Sequence, residues 1–244
     1  MKLARLPVFA AVFALLLLAA SGLGVRAGLW AFPVGFSVLR WAAYVALAAV
    51  GLAVIGLLTP RARAAAPRTL PLALVLGLGV AFVPWQMLRQ AKSVPPIHDI
   101  STDLTNPPLF EAVLPLRGGA SNPAAYGGPE LAAAQRAGYP DVQPLRLSMA
   151  PAQAYSRTLA AAQGMGWQVV AADAARGRIE ATATTFWFGF KDDVVVRIQA
   201  ADGGSRVDVR SVSRDGGSDV GTNAKRIRAF ATLLQGSGAT PAAT

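Results

Sequence analysis

Residues 178–213 read RIEATATTFWFGFKDDVVVRIQAADGGSRVDVRSVS, and their alternation of apolar and polar side chains decides the fold. Period-two patterning is the mark of strands with one buried face. It predicts strands over 178–188, 193–200 and 205–213, with turns at 189–192 and 202–204 that carry glycines and acidic residues. Connections this short join antiparallel neighbours. Working upstream, 167–172 is a further strand ahead of a turn at 174–177. Pro151 suits the first turn of a helix with Tyr155, Leu159 and Ala162 on one face, ending near Gly164 and Gly166. Leu145, Leu147 and Met149 alternate as a strand before it. Downstream, a helix over 222–234 places Ala224, Ile227, Phe230, Ala231 and Leu234 on one stripe. The expected order is β-α-β-β-β-β-α, an α+β domain with an antiparallel sheet and two helices packed on one face.

Upstream of that core, 95–145 is rich in Pro, Gly, Asn and Ala and reads as loop, with a short helix over 130–137. The soluble domain is expected over 95–235, followed by a Gly/Ala/Pro/Thr tail at 236–244.

The first 94 residues are of another kind. They hold nine Lys/Arg and no carboxylate, whereas 95–244 hold fourteen Lys/Arg against thirteen acids. Three apolar runs occupy about 7–23, 41–58 and 70–88. Each approaches the ~20 residues that a helix needs to cross a bilayer. Trp30, Phe32, Phe36, Trp41 and Trp85 lie at their ends, as interfacial aromatic belts do. Gly51, Gly56, Gly77 and Gly79 offer small surfaces for helix packing. Arg61, Arg63 and Arg68 make the loop between the second and third runs densely basic, and Lys2 and Arg5 precede the first. If these stretches are cytoplasmic, the domain lies outside the cytoplasm, a bacterial inner-membrane protein facing the periplasm. A cleaved signal peptide over 1–27 is the rival reading of the first run and leaves the domain in the same compartment.

The formal charge of +10 therefore belongs almost wholly to the membrane half. A near-neutral domain beside a bilayer is not a nucleic-acid binder. The chain has no cysteine, which excludes thiol catalysis, disulfides and Cys-ligated zinc. No spacing of carboxylates around the single histidine indicates a metal, and no cofactor motif occurs.

Two long stretches, RIEATATTFWFGFKDDVVVRI (178–198) and SRVDVRSVSRDGGSDVGTNAKRIRAF (205–230), resemble the domain of unknown function 1499 family. IHDISTDLTNPPLF (97–110) and YPDVQPL (139–145) are similar to its upstream elements in membrane-anchored bacterial members. The resemblance covers about 95–235 and implies no activity.

Four groups of residues are candidates for a site. A Gly-rich turn from Arg214 to Asp219 opens the last helix, where Asn223, Lys225 and Arg226 could join backbone N–H groups around an anion. The simpler reading makes Asp219 or Thr222 a helix cap. On the polar face of the sheet, Arg178, Glu180 and Thr182 would lie beside Arg197, Arg206, Asp208 and Arg210, either as cross-strand charge pairs or as a face for an anionic headgroup. The run from Phe186 to Phe190 would put Trp187 opposite the phenylalanines, as core beneath the helices, or else as an apolar pocket or a rim that touches lipid. His98, Asp99, Ser101 and Asp103 include the residue types of a hydrolase, but the simpler and preferred reading makes Asp99, Ser101 and Asp103 Asx-type turn residues in a loop just off the membrane. Asp192 and Asp193 read as hairpin-turn residues.

The residues together indicate a non-enzymatic membrane protein whose partners are the lipid bilayer and an envelope protein or an amphipathic or anionic ligand. The alternatives are an envelope hydrolase using the 98–103 loop and an accessory subunit of a transport complex.

Overall fold

The computed structural model describes residues 5–236; the basic Lys2 and all but the first residue of the expected tail lie outside them. The chain forms two compact units. The first runs to Gln90 and takes in Phe186–Gly189; the second is Ala91–Thr185 with the chain from Phe190 onward.

In the first unit, α1 (Leu6–Arg26), α2 (Phe32–Leu58) and α4 (Thr69–Lys92) are long and apolar enough to cross a membrane. A short helix, α3 (Pro60–Ala65), carries Arg61 and Arg63 between α2 and α4. The second span was expected from residue 41, yet α2 begins at Phe32. Pro33 fits a first helical turn, where a missing N–H costs nothing. The polar residues that argued for a later start satisfy one another, since Ser37 donates to the Pro33 carbonyl and Arg40 to the Ser37 hydroxyl. The helices pack through small residues. Ala42, Ala46, Ala49 and Ala53 are fully buried along α2, and Ala11 and Ala14 along α1. An added Cβ on Gly77 would come within 2.7 Å of Val50, and one on Gly56 within 2.7 Å of Leu70. Gly51 and Gly79 face open space. Close backbone approach through alanine and glycine is the packing that lipid favours, because apolar burial alone gives helices no reason to leave the acyl chains.

The second unit is α+β, as the alternation predicted. Its strands are β1 (Asp99–Ser101), β2 (Leu145–Leu147), β3 (Gln168–Asp173), β4 (Arg178–Thr184), β5 (Lys191–Ala201) and β6 (Gly204–Ser213). They form one antiparallel sheet in the order β1-β6-β5-β4-β3, with β2 also paired to β6. Helix α5 (Gly128–Gly138) follows the long irregular segment, α6 (Pro151–Gly164) joins β2 to β3, and α7 (Thr222–Gly236) closes the domain.

One face of the sheet is apolar. Ile179, Ala181, Val194, Val196, Ile198, Val207 and Val209 meet Ala154, Tyr155 and Ala162 of α6 and Ala224, Ile227, Phe230 and Leu234 of α7. Trp167 stacks on Phe230 with ring centroids 5.0 Å apart.

Three expectations are corrected. Asp99–Ser101 is a strand and not part of a loop: Asp99 pairs with Val212 and Ser101 with Arg210 of β6. Asp192 and Asp193 lie within β5 and not in a turn. β4 stops at Thr184 instead of running to residue 188, because the Phe190 N–H donates to the Thr185 hydroxyl and the Thr185 N–H to the Phe190 carbonyl, closing a loop.

Candidate functional site

The sheet face opposite α6 and α7 is lined by charge. The register sets Arg178 beside Arg197 and Arg197 beside Asp208, and puts Glu180 and Arg210 on either side of Val195. Over this face runs the irregular segment 102–127, a strap whose Phe110 and Val113 cover Val195 and Val212. Irregular chain carries backbone groups that no ladder satisfies, and burial requires partners for them. The charged side chains are those partners.

Glu180, almost fully buried, accepts from the N–H groups of Glu111 and Val113 at 3.0 Å each and from the Arg178 guanidinium at 2.7 Å. Arg178 also donates to the Leu109 carbonyl. Arg210 is wholly buried. It grips Asp99 with two bonds of 2.9 and 2.8 Å, donates to the carbonyls of Pro108 and Ala124, and lies between the rings of Phe110 and Tyr126. Asp193 gathers Arg117 at 2.6 Å, Arg214 at 2.8 Å and the Thr182 hydroxyl at 2.8 Å. Arg117 and Arg214 then reach the carbonyls of Asn122 and Leu116. Arg197 and Arg206 are shared between Asp208 and Asp103.

The electrostatics divide with depth. Burial raises the Asp99 carboxyl above its ordinary range and outweighs the Arg210 contacts. Asp103 goes the other way: its partial burial is overcome by the N–H groups of Asn106 and Thr105 and by the guanidiniums of Arg206 and Arg197, so its pKa is lowered. Those two N–H bonds form an Asx turn at the start of the strap.

The helix side of the sheet holds a smaller polar cluster. Asn223 is fully buried; its carbonyl oxygen accepts from the Ser211 hydroxyl and from Arg226, and its amide donates to the His98 carbonyl and the Ser213 hydroxyl. Arg226 also pairs with Asp192. Asp219 caps α7, accepting from the N–H groups of Gly221 at 2.8 Å and Asn223 at 2.7 Å. Burial raises its carboxyl as well.

The sequence-derived candidates are thus dispersed. Arg197, Arg210 and Arg214 lie on the strap side, and Asn223 and Arg226 on the helix side. Lys225 is exposed on α7, and Trp187 belongs to the first unit. Asp99 is clasped by Arg210, and the Ser101 hydroxyl donates to the Asp103 main-chain carbonyl at 2.9 Å. Among the described residues no group of three or more His, Asp or Glu is disposed to hold a metal ion. Sequence reasoning missed Arg117 and Gln135. Gln135 bonds both the N–H and the carbonyl of Ser101, at 2.9 and 2.6 Å, doing for the outer edge of β1 what a further strand would do. A single polar residue in a short helix carries no signal of such a role.

A family model described as a protein of unknown function (DUF1499) matches residues 99–234, more than half of the chain. The chain belongs to the DUF1499 family. The DUF1499 match opens at Asp99, the partner of Arg210, and closes at Leu234 of α7, so it takes in the strap and both sheet faces. The spans α1, α2 and α4 lie outside it. Among curated proteins none matches the chain.

Proposed function

We propose that this DUF1499 protein is a bacterial inner-membrane protein whose domain lies in the periplasm and binds a partner protein of the envelope through the strap. The observation that carries the reading is the exposure of three leucines on the strap, Leu109 (63%), Leu114 (46%) and Leu116 (50%), on a segment whose backbone is fixed from beneath. Scattered exposed leucines are ordinary, but here three fall within eight residues of the strap, two of them in its 3-10 turn. A surface held rigid before binding loses little conformational entropy when a partner arrives. In this reading Arg197, Arg210 and Arg214 are positioning groups that hold the strap, and an anionic ligand is a lesser partner, met at the exposed Lys225. The clasped Asp99 and the main-chain bond of Ser101 favour binding over a hydrolase of the 98–103 region. The basic Arg61, Arg63 and Arg68 support the orientation.

The test is a photo-reactive phenylalanine placed at Leu114 or Leu116 in the full chain in cells and, in a separate fusion, a phosphatase reporter joined after Lys92. A discrete protein adduct at both positions, absent from a control at the exposed Arg146, is expected together with an active reporter. No adduct at either leucine would sink the docking surface, and a silent reporter would overturn the periplasmic placement.

A further inference from the structure

The loop between β4 and β5 is the one part of the sheet-forming sequence that belongs to the membrane unit. Phe186–Gly189 falls with the apolar helices and not with the strands that it connects. Within that unit it is tightly held. The Trp187 indole occupies the space left by Gly22 of α1, where an added Cβ would lie 2.2 Å from the ring. Phe188 is buried, with its ring centroid 5.1 Å from that of Phe36 on α2. Arg26, the last residue of α1, donates to the Phe186 carbonyl at 2.7 Å.

Phe186 itself is 86% exposed, the largest exposure of any described large apolar side chain. An apolar surrounding would stabilise a phenylalanine held this far out of its own fold by about 25 cal/mol for each Å² of ring removed from water. Its position says what that surrounding is. It is fixed beside the carboxyl end of a span and over the guanidinium of Arg26, whose Cζ is 6.0 Å from the ring centroid. Leu29, 71% exposed, and the aromatic Trp30 and Phe36 lie at the same ends of α1 and α2. Aromatic side chains at the ends of spans, next to a basic residue, occupy the headgroup boundary of a bilayer.

The geometry points to a membrane-inserted loop: Phe186 enters the lipid interface at the level of the adjoining ends of α1 and α2, as a fourth membrane-contacting element built from the DUF1499 sequence. The partner is phospholipid, and the surface is continuous with the apolar exterior of the spans. Nothing in it depends on a protein docking to the leucines of the strap.

The absence of cysteine makes the test direct. Phe186→Cys, labelled with an environment-sensitive fluorophore in the full chain in phosphatidylethanolamine/phosphatidylglycerol vesicles, is expected to emit with a blue shift. Its signal should be lost to shallow nitroxide lipids but not to aqueous iodide, as for a Leu29→Cys reference. Asp202→Cys, in the β5–β6 turn, should show the reverse. A label at 186 that behaves like the one at 202 would overturn the inference. Because that substitution removes the ring, a photo-reactive phenylalanine at 186 provides the second reading. A lipid-mass adduct is expected on irradiation, and recovery of unmodified protein alone would equally refute insertion.

Discussion

The two faces of the DUF1499 sheet are closed by opposite means. α6 and α7 satisfy their own backbones, so the strands beneath them offer mainly valine, isoleucine and alanine, with Asp192, Ser211 and Ser213 confined to the polar cluster at the start of α7. The strap satisfies only part of its own, through the 3-10 turn Leu114–Arg117 and a few neighbouring bonds, so the strands beneath it offer guanidiniums to its carbonyls and a carboxylate to its N–H groups. What covers a sheet dictates the chemistry of the face it covers. Charge on a strand is here the counterpart of irregular backbone above it, and an arginine-rich face need not imply a ligand.

The comparison is most exposed to failure at the centre of each face. Phe230→Ala should cost about 3–5 kcal/mol through lost burial and a cavity. Asp193→Ala should cost about the same, 3–5 kcal/mol, because it strands Arg117 and Arg214 without their carboxylate. Urea unfolding of the full chain in detergent measures both. The equivalence breaks if Asp193→Ala falls within the ~0–1 kcal/mol typical of exposed pairs.

A smaller and more local effect sharpens it. Glu180→Gln keeps the shape of the side chain and removes its charge, and bonds to a charged group are worth about 1.5–3 kcal/mol each. The amides of Glu111 and Val113 should exchange hydrogen faster, while those of α6 and α7 keep their protection. Uniform acceleration over both faces would mean that the strap is not separately held.

The smallest effects are at the rim and concern pH. Asp103 has a lowered pKa, so the stability it contributes is present above the unfolded value of about 4 and is lost as pH falls through the folded value. Asp103→Asn should flatten that acid limb. Asp99 and Asp219 are raised, so their contribution is present at low pH and is lost as pH rises through their folded values, which opposes the Asp103 trend. Asp141→Ala, which breaks an exposed pair with Arg228, should cost no more than ~0–1 kcal/mol. Urea midpoints across pH test all of this; an acid limb unchanged in Asp103→Asn would remove Asp103 from the account.

The helix face was legible because alternation is a local property. Ile179, Val194, Val207 and the stripe from Ala224 to Leu234 announce their face within a few residues of themselves. The strap face was half legible. The strand pattern placed Arg178, Glu180, Arg197, Asp208 and Arg210 on one side and allowed the charge pairs Arg178–Glu180 and Arg197–Asp208, but nothing near them named their partners in the strap and β1, which come from 69 residues away for Glu180 and 111 for Arg210. The end of β4 was illegible for a related reason. TTFWFGF has strand composition throughout, and only the bond of Thr185 to Phe190 and the packing of Trp187 and Phe188 in the helical unit stop the ladder there. The early start of α2 was hidden by Ser37 and Arg40, whose mutual bonding relieves the polarity that hydropathy counts against them.

By itself, then, the sequence determined the three apolar helices, the antiparallel α+β domain and the family, since hydrophobic period and run length are written residue by residue. Only the tertiary structure decided what the charges do. Whether an arginine is a binding group or a brace depends on which carboxylate and which carbonyls stand within 3 Å of it, and for Arg210 those are Asp99 and the strap. Long-range contacts of this kind are set by how the chain returns over the sheet, which no local pattern records.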